Sequence, residues 1–182
     1  MPKSIVLGVS ASIAIYKSCE LARGLKEEGF EVNVILTPEA EELIRPIVFQ
    51  ALSGRRVYTG LFDQPRTWEI EHISLADKAD LVLVAPATAN IIAKISGGIC
   101  DDLLTCVIAA TKAPVLLCPA MNENMYLNKI TQENIRKLKG YGYKFVGPKK
   151  GRLACGKEGI GCLADIESII KETKKVLKYA AT

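Results

Sequence analysis

With 182 residues, 49% of them apolar and 24% charged, the chain is long enough for one packed core and too apolar for intrinsic disorder. Its formal net charge of +4 is too small to argue for nucleic acid, and its basic residues are interleaved with Glu. It has no apolar run of about 18 residues to span a membrane, and Met1 to Ser4 carry no signal-peptide cleavage site, so a cytoplasmic protein is expected.

Ser4 to Val9 is a short apolar run and predicts a buried strand. Ser12 is placed to cap a helix running to about Glu28, with Gly29 as its stop signal. Glu31 to Leu36 predicts a second strand. Pro38 to Ile44 and Pro46 to Leu52 predict two short helices, each opened by Pro in its first turn. Residues 55–71 read as irregular loop, and Trp68, Ile70 and Ile73 as a packing stripe or subunit contact. Leu81 to Ala85 lacks polar alternation, which predicts a strand covered on both faces. Helices are expected over Asn90 to Ser96 and Asp101 to Ala110, with Asp101 as the second one's cap. Pro114 to Cys118 and Lys144 to Val146 read as strands, Ile130 to Leu138 and Asp165 to Tyr179 as helices. Short apolar strands alternating with helices predict a single-domain, three-layer α/β fold of Rossmann or flavodoxin type over residues 1–182. Its parallel sheet should have five or six strands.

In such sheets ligands sit at the carboxyl ends of the strands. The first strand ends in Gly8-Val9-Ser10-Ala11-Ser12, small and hydroxyl residues before a helix. That segment suits a mononucleotide phosphate, or Ser12 is simply a cap; it is not the dinucleotide GxGxxG fingerprint. Thr37, the cluster Pro86-Ala87-Thr88-Ala89-Asn90 and the cluster Pro119-Ala120-Met121-Asn122 follow later strands. Together they outline a flat, polar-rimmed slot suited to a flavin mononucleotide.

His72 is the only histidine and reads either as a surface or capping imidazole or as a proton acceptor near neutral pH. One His with scattered cysteines makes no metal site, so none is assigned. Cys19, Cys100, Cys106 and Cys118 lie mostly in apolar runs and read as free buried thiols. Cys155 and Cys162 lie in a Gly-rich segment, Gly147 to Leu163, which reads as a long lid or binding loop, or as a flexible loop with incidental cysteines. Lys149, Lys150 and Arg152 are near Cys155, and cations favour the thiolate form of a thiol.

Taken together, Gly8 to Lys17, Phe49 to Gly54, His72-Ile73, Ala85 to Lys94, Asp101 to Leu104, Pro119 to Met125 and Leu153 to Gly161 resemble the homo-oligomeric flavin-containing cysteine decarboxylases over nearly the whole chain. The PxMNxxM string followed by the LACGxxGxG segment is the most specific part. Two positions depart from the usual family pattern: Tyr126 stands where an aromatic, often Trp, follows PxMNxxM, and Cys162 where bacterial members carry Arg. The resemblance implies FMN as cofactor and no metal. It implies flavin contacts from Gly8, Ser10, Ser12, Thr37, Pro86, Ala87, Thr88, Ala89, Asn90, Thr105 and Ala120. It further implies His72, Asn122 and Cys155 as catalytic residues, with Asn122, Met125, Ala154 and Gly156 against the substrate.

The implied reaction is decarboxylation of 4′-phosphopantothenoylcysteine to 4′-phosphopantetheine in coenzyme A biosynthesis, through a thioaldehyde and an enethiolate. His72 would be the base of the oxidation step, Asn122 the holder of the substrate carboxylate, and Cys155 the proton donor to the enethiolate. The implied partners are further copies of the chain, as a trimer or a dodecamer of trimers, and a fused or separate phosphopantothenate–cysteine ligase. Neither nucleic acid nor membrane is implied. The alternatives are a peptidyl-cysteine decarboxylase of peptide-antibiotic maturation and a non-catalytic flavin-binding regulatory subunit.

Overall fold

The computed structural model describes residues 2–61 and 70–179. Strand β1 (Ser4–Val9) alternates by the strand period of two: Ile5, Leu7 and Val9 join one apolar cluster and Val6 the other. Helix α1 (Ile15–Glu27) returns the chain to β2 (Glu31–Leu36), which runs parallel to β1 with Ser4 opposite Glu31 and Val9 opposite Leu36. Two short helices, α2 (Pro38–Glu41) and α3 (Pro46–Ser53), lead to β3 (Val57–Tyr58) at the sheet edge. Helix α4 (Glu71–Lys78) precedes β4 (Leu81–Ala87), which pairs with the other side of β1. Helices α5 (Ala89–Gly97) and α6 (Leu103–Ala110) lead to β5 (Val115–Pro119). Then come α7 (Glu123–Leu127), α8 (Lys129–Gly140) and β6 (Lys144–Phe145). An antiparallel hairpin, β7 (Lys149–Arg152) and β8 (Glu158–Cys162), stands apart from the sheet before the closing helix α9 (Ile166–Tyr179).

Among the described residues the main sheet has six parallel strands in the order β3-β2-β1-β4-β5-β6. Leu21, Leu25 and Ile169, from α1 and α9, cover one face; Ile92, Leu104, Val107 and Ile135, from α5, α6 and α8, cover the other. This is the expected Rossmann-like three-layer fold. Chain order reverses between β1 and β4, and that reversal opens a crevice at the strands' carboxyl ends. No described helix is long and apolar enough to cross a membrane.

Several local expectations are corrected. Ser12 does not cap α1: the turn Ser12 N to Ser10 O (2.9 Å) delays the helix, and Ala14 is its uncapped first boundary. Asp102, not Asp101, caps α6, in a reciprocal box with Thr105. The segment expected to be loop over residues 55–71 contains β3 and the start of α4. Trp68 lies outside the described residues, and Ile70 and Ile73 are 62% and 43% exposed, so neither belongs to the core. Of the four cysteines expected to be buried, Cys118 is, whereas Cys100 is exposed and Cys19 and Cys106 lie between. The expected long loop over residues 147–163 is largely the β7–β8 hairpin. Its sequence alternates too weakly between polar and apolar to announce strands, because its pairing is sustained by docking on another segment.

Candidate active site

The floor of the crevice is assembled by short side chains that tie strand ends together. Ser10 Oγ donates to the Pro86 carbonyl (2.8 Å) and accepts from Thr88 N (3.1 Å), which locks the end of β1 to the end of β4. Ala120 N donates to Ala87 O at 3.1 Å and adds the end of β5. Thr37 and Thr88 cap α2 and α5 through Oγ1, accepting from Ala40 N (3.3 Å) and Ile91 N (3.2 Å). Thr37 and Thr88 are thus both helix caps and strand-end residues, and they line a cavity of about 900 Å3.

That cavity brings together Ser10, Ser12, Thr37, Thr88, Asn90 and Ala120 from the expected cofactor set. Asn122, Met125 and the tip residues Ala154, Cys155 and Gly156 line it as well. Gly8, Pro86, Ala87, Ala89 and Thr105 do not line it. Gly8 is required for packing instead: a Cβ there would lie 2.4 Å from Leu104 Cδ1 of α6. Pro86 and Ala87 serve the floor through their carbonyls, and Thr105 is 2% exposed, its hydroxyl spent on Asp102. His72 is half-buried on α4 and is not among the residues lining this cavity.

Asn122 caps α7, its Oδ1 accepting from Asn124 N at 2.9 Å, so its amide nitrogen is the group it can offer to a carboxylate. Cys155 is exposed in the hairpin tip, which Leu153 N to Lys157 O (2.8 Å) and Gly156 N to Leu153 O (2.9 Å) close. Gly156 has φ +84°, a conformation that favours glycine at this turn.

The cavity also takes in residues that the sequence reading left out, among them Lys17, Asp102 and Leu163. Asp102 is 6% exposed; its Oδ1 accepts from Thr105 N (2.8 Å) and its Oδ2 from Lys94 Nζ (3.2 Å). Lys94 also reaches Asp101 Oδ1 at 2.8 Å. The hydrogen bond to Asp101 raises the Lys94 ammonium above its usual value against partial burial, with Asp102 adding to the rise. The same Lys94 bond holds the Asp101 carboxyl below its usual range. The signal for this cluster was the Asp-Asp pair itself, but the cation that joins it lies on a different helix.

A doubly wound sheet with hydroxyl-lined strand ends at its switch point is the arrangement of a nucleotide-cofactor protein, and here Asn122 and the Cys155 hairpin tip line the same cavity. The sequence model described as Flavoprotein matches residues 1–178, and the chain belongs to that family. It is 44% identical over 179 residues to a "Probable phosphopantothenoylcysteine decarboxylase" of Streptococcus mutans, covering 97% of this chain and 100% of that protein. It is 45% identical over 173 residues to "Coenzyme A biosynthesis bifunctional protein CoaBC" of Bacillus subtilis, covering 95% of this chain but only 43% of that protein. Among solved structures it is similar to the FMN-dependent cysteine decarboxylase SpaF, with TM-score 0.85, 28% identity and coverage of 99% and 98%.

Proposed function

We propose that this chain, taken as one flavoprotein domain over residues 1–182, is an FMN-dependent decarboxylase of 4′-phosphopantothenoylcysteine acting in coenzyme A biosynthesis. One observation carries the reading: Asn122, Met125 and the Cys155 tip line the same cavity as the hydroxyl-rich floor at the switch point. The floor fits the cofactor. Ser12, Thr37 and Thr88 offer hydroxyls suited to a phosphate and polar ring edge, beside apolar Ile91, Ala120 and Met121 suited to a flat ring. Bound there, FMN supplies the reversible two-electron chemistry that carbon–carbon cleavage of a cysteine amide needs.

The chain's own residues do the rest. The Asn122 amide nitrogen holds the substrate carboxylate and orients it for loss as carbon dioxide. The Cys155 thiol delivers a proton to the enethiolate that remains. His72 takes the proton released in the oxidation step. Because it lies on α4 and outside this cavity, it acts on the cavity of a neighbouring copy in a homo-oligomer. Exposed Ile70 and Ile73 on the same segment supply apolar surface for that contact. Supply of substrate by a phosphopantothenate–cysteine ligase, fused or separate, and a cytoplasmic setting belong to the same reading.

The test has two arms. Purified protein should carry a flavin absorption spectrum, release FMN on denaturation, and convert 4′-phosphopantothenoylcysteine but not a peptide ending in Cys. A colourless protein that stays colourless with added FMN would end the proposal. In the second arm, measured as formation of the saturated product, His72→Asn and Cys155→Ser should each be inactive alone. Mixed and reassembled one to one, they should recover about a quarter of native activity, because that fraction of intersubunit sites receives both intact groups. No recovery would mean that His72 acts within its own chain or not at all.

A further inference from the structure

Glu123 follows Asn122 directly and has no part in the chemistry proposed above. Its side chain is turned to the hairpin: Oε1 accepts from Ile160 N at 2.9 Å, across 37 residues of sequence. Strand β8 is shaped around that contact. A Cβ at Gly159 would lie 2.6 Å from Glu123 Oε1, nearer than unbonded heavy atoms approach, so the carboxylate fills the space a side chain would need. At Gly161 φ is +148°, and a Cβ would lie 2.1 Å from Met121 O, while Met121 N donates to Gly161 O at 3.0 Å. The Gly-Ile-Gly of β8 is thus the imprint of Met121 to Glu123. Met121 and Asn122 line one side of the cavity and the Cys155 tip another, and this seam joins them.

We propose that Glu123 is the positioning residue of the roof: its carboxylate holds β8 against the Asn122 segment and so sets where the Cys155 thiol stands over the cavity. The catalytic consequence rests on the function proposed above; the structural one does not. Gln has the same size and keeps an acceptor oxygen, whereas Ala removes it.

The experiment measures hydrogen–deuterium exchange and steady-state kinetics of flavin-loaded wild type, Glu123→Ala and Glu123→Gln. Glu123→Ala should speed exchange over residues 158–162 about tenfold and leave β4 unchanged, since a hydrogen bond to a charged acceptor is lost locally. Its kcat should fall by about the same factor with KM within about twofold, the split expected when a group is misplaced for a later step. Glu123→Gln should recover both readouts. Unchanged exchange over 158–162 in Glu123→Ala, or a Glu123→Gln as loose as Glu123→Ala, overturns the proposal. If exchange changes as expected while wild type itself converts no substrate, the clasp holds and the proposed function is what fails.

Discussion

The floor and the roof of the cavity are held by different physics. The floor is buried and cross-tied: Ser10 is 3% exposed, Asp102 6%, and hydrogen bonds join the ends of β1, β4 and β5. Ser10 and Ala120 have partners at the strand ends and Asp102 has them on α5 and α6, so this geometry exists before any ligand arrives. The roof is a short hairpin outside the sheet. It is joined to the cavity wall by the Met121–Gly161 and Glu123–Ile160 bonds, and its tip carries an exposed thiol. A rigid floor suits a resident cofactor that must not leave. A roof outside the sheet with an exposed tip suits a step in which substrate enters, receives a proton and departs.

The largest break in that contrast should come from the roof's chemistry. Cys155→Ser is expected to cut formation of saturated product about 10²–10⁴-fold, the range for losing a general acid. Carbon dioxide release should be limited to about one equivalent per bound flavin, since the electrons taken up in the oxidation step are no longer returned, while the melting temperature should stay near wild type because Cys155 is exposed. Trapping of the product mixture and calorimetry would check both; normal saturated product would remove Cys155 from the mechanism.

A floor substitution should do the opposite. Gly8→Ala forces Leu104 to move, which should cost about 1–3 kcal/mol of stability. Denaturant titration would show this as a shifted midpoint with unchanged slope. A midpoint equal to wild type would mean that α6 yields freely, and the floor would not be the rigid partner of the pair.

The smallest effect lies at the opposite end of the sheet. Burial pushes the Asp80 carboxyl up, but hydrogen bonds from Lys3 Nζ (2.7 Å) and Ser4 N (2.8 Å) outweigh it and hold the group below its usual value. A depressed carboxylate stabilises the fold above its unfolded pKa of about 3.9, and that contribution disappears as pH falls through the lower folded value. Asp80→Asn should therefore cost under about 1 kcal/mol at pH 7, given the side chain's 32% exposure. The difference from wild type should vanish as pH drops below about 4. Equal losses at pH 7 and pH 3 would mean that the pair matters through packing rather than charge.

How much of this was legible follows from the range of each interaction. β1 and β2 were predicted to the residue, because each is a short run rich in Val, Ile and Leu set off by a neighbouring turn or helix signal. The caps Thr37 and Thr88 were visible as strand-end hydroxyls. The cap of α6 was missed by one residue, since Asp101 carries the same local signal as Asp102, and the start of α1 by two, since the Ser12 hydroxyl accepts from Ala14 N in a turn before the helix. The hairpin was missed as a hairpin because what sustains it, Glu123 and Met121, lies about thirty residues or more away in the chain.

By itself, the sequence determined the layers, the parallel sheet and the family motifs, because apolar period, turn residues and motif spacing are local properties that short segments carry alone. Only the tertiary structure decided that Gly8 makes room for Leu104, that Asp102 shares Lys94 with Asp101, and that β8 is moulded on Glu123. Each of these depends on excluded volume or charge between segments that meet only once the sheet has assembled.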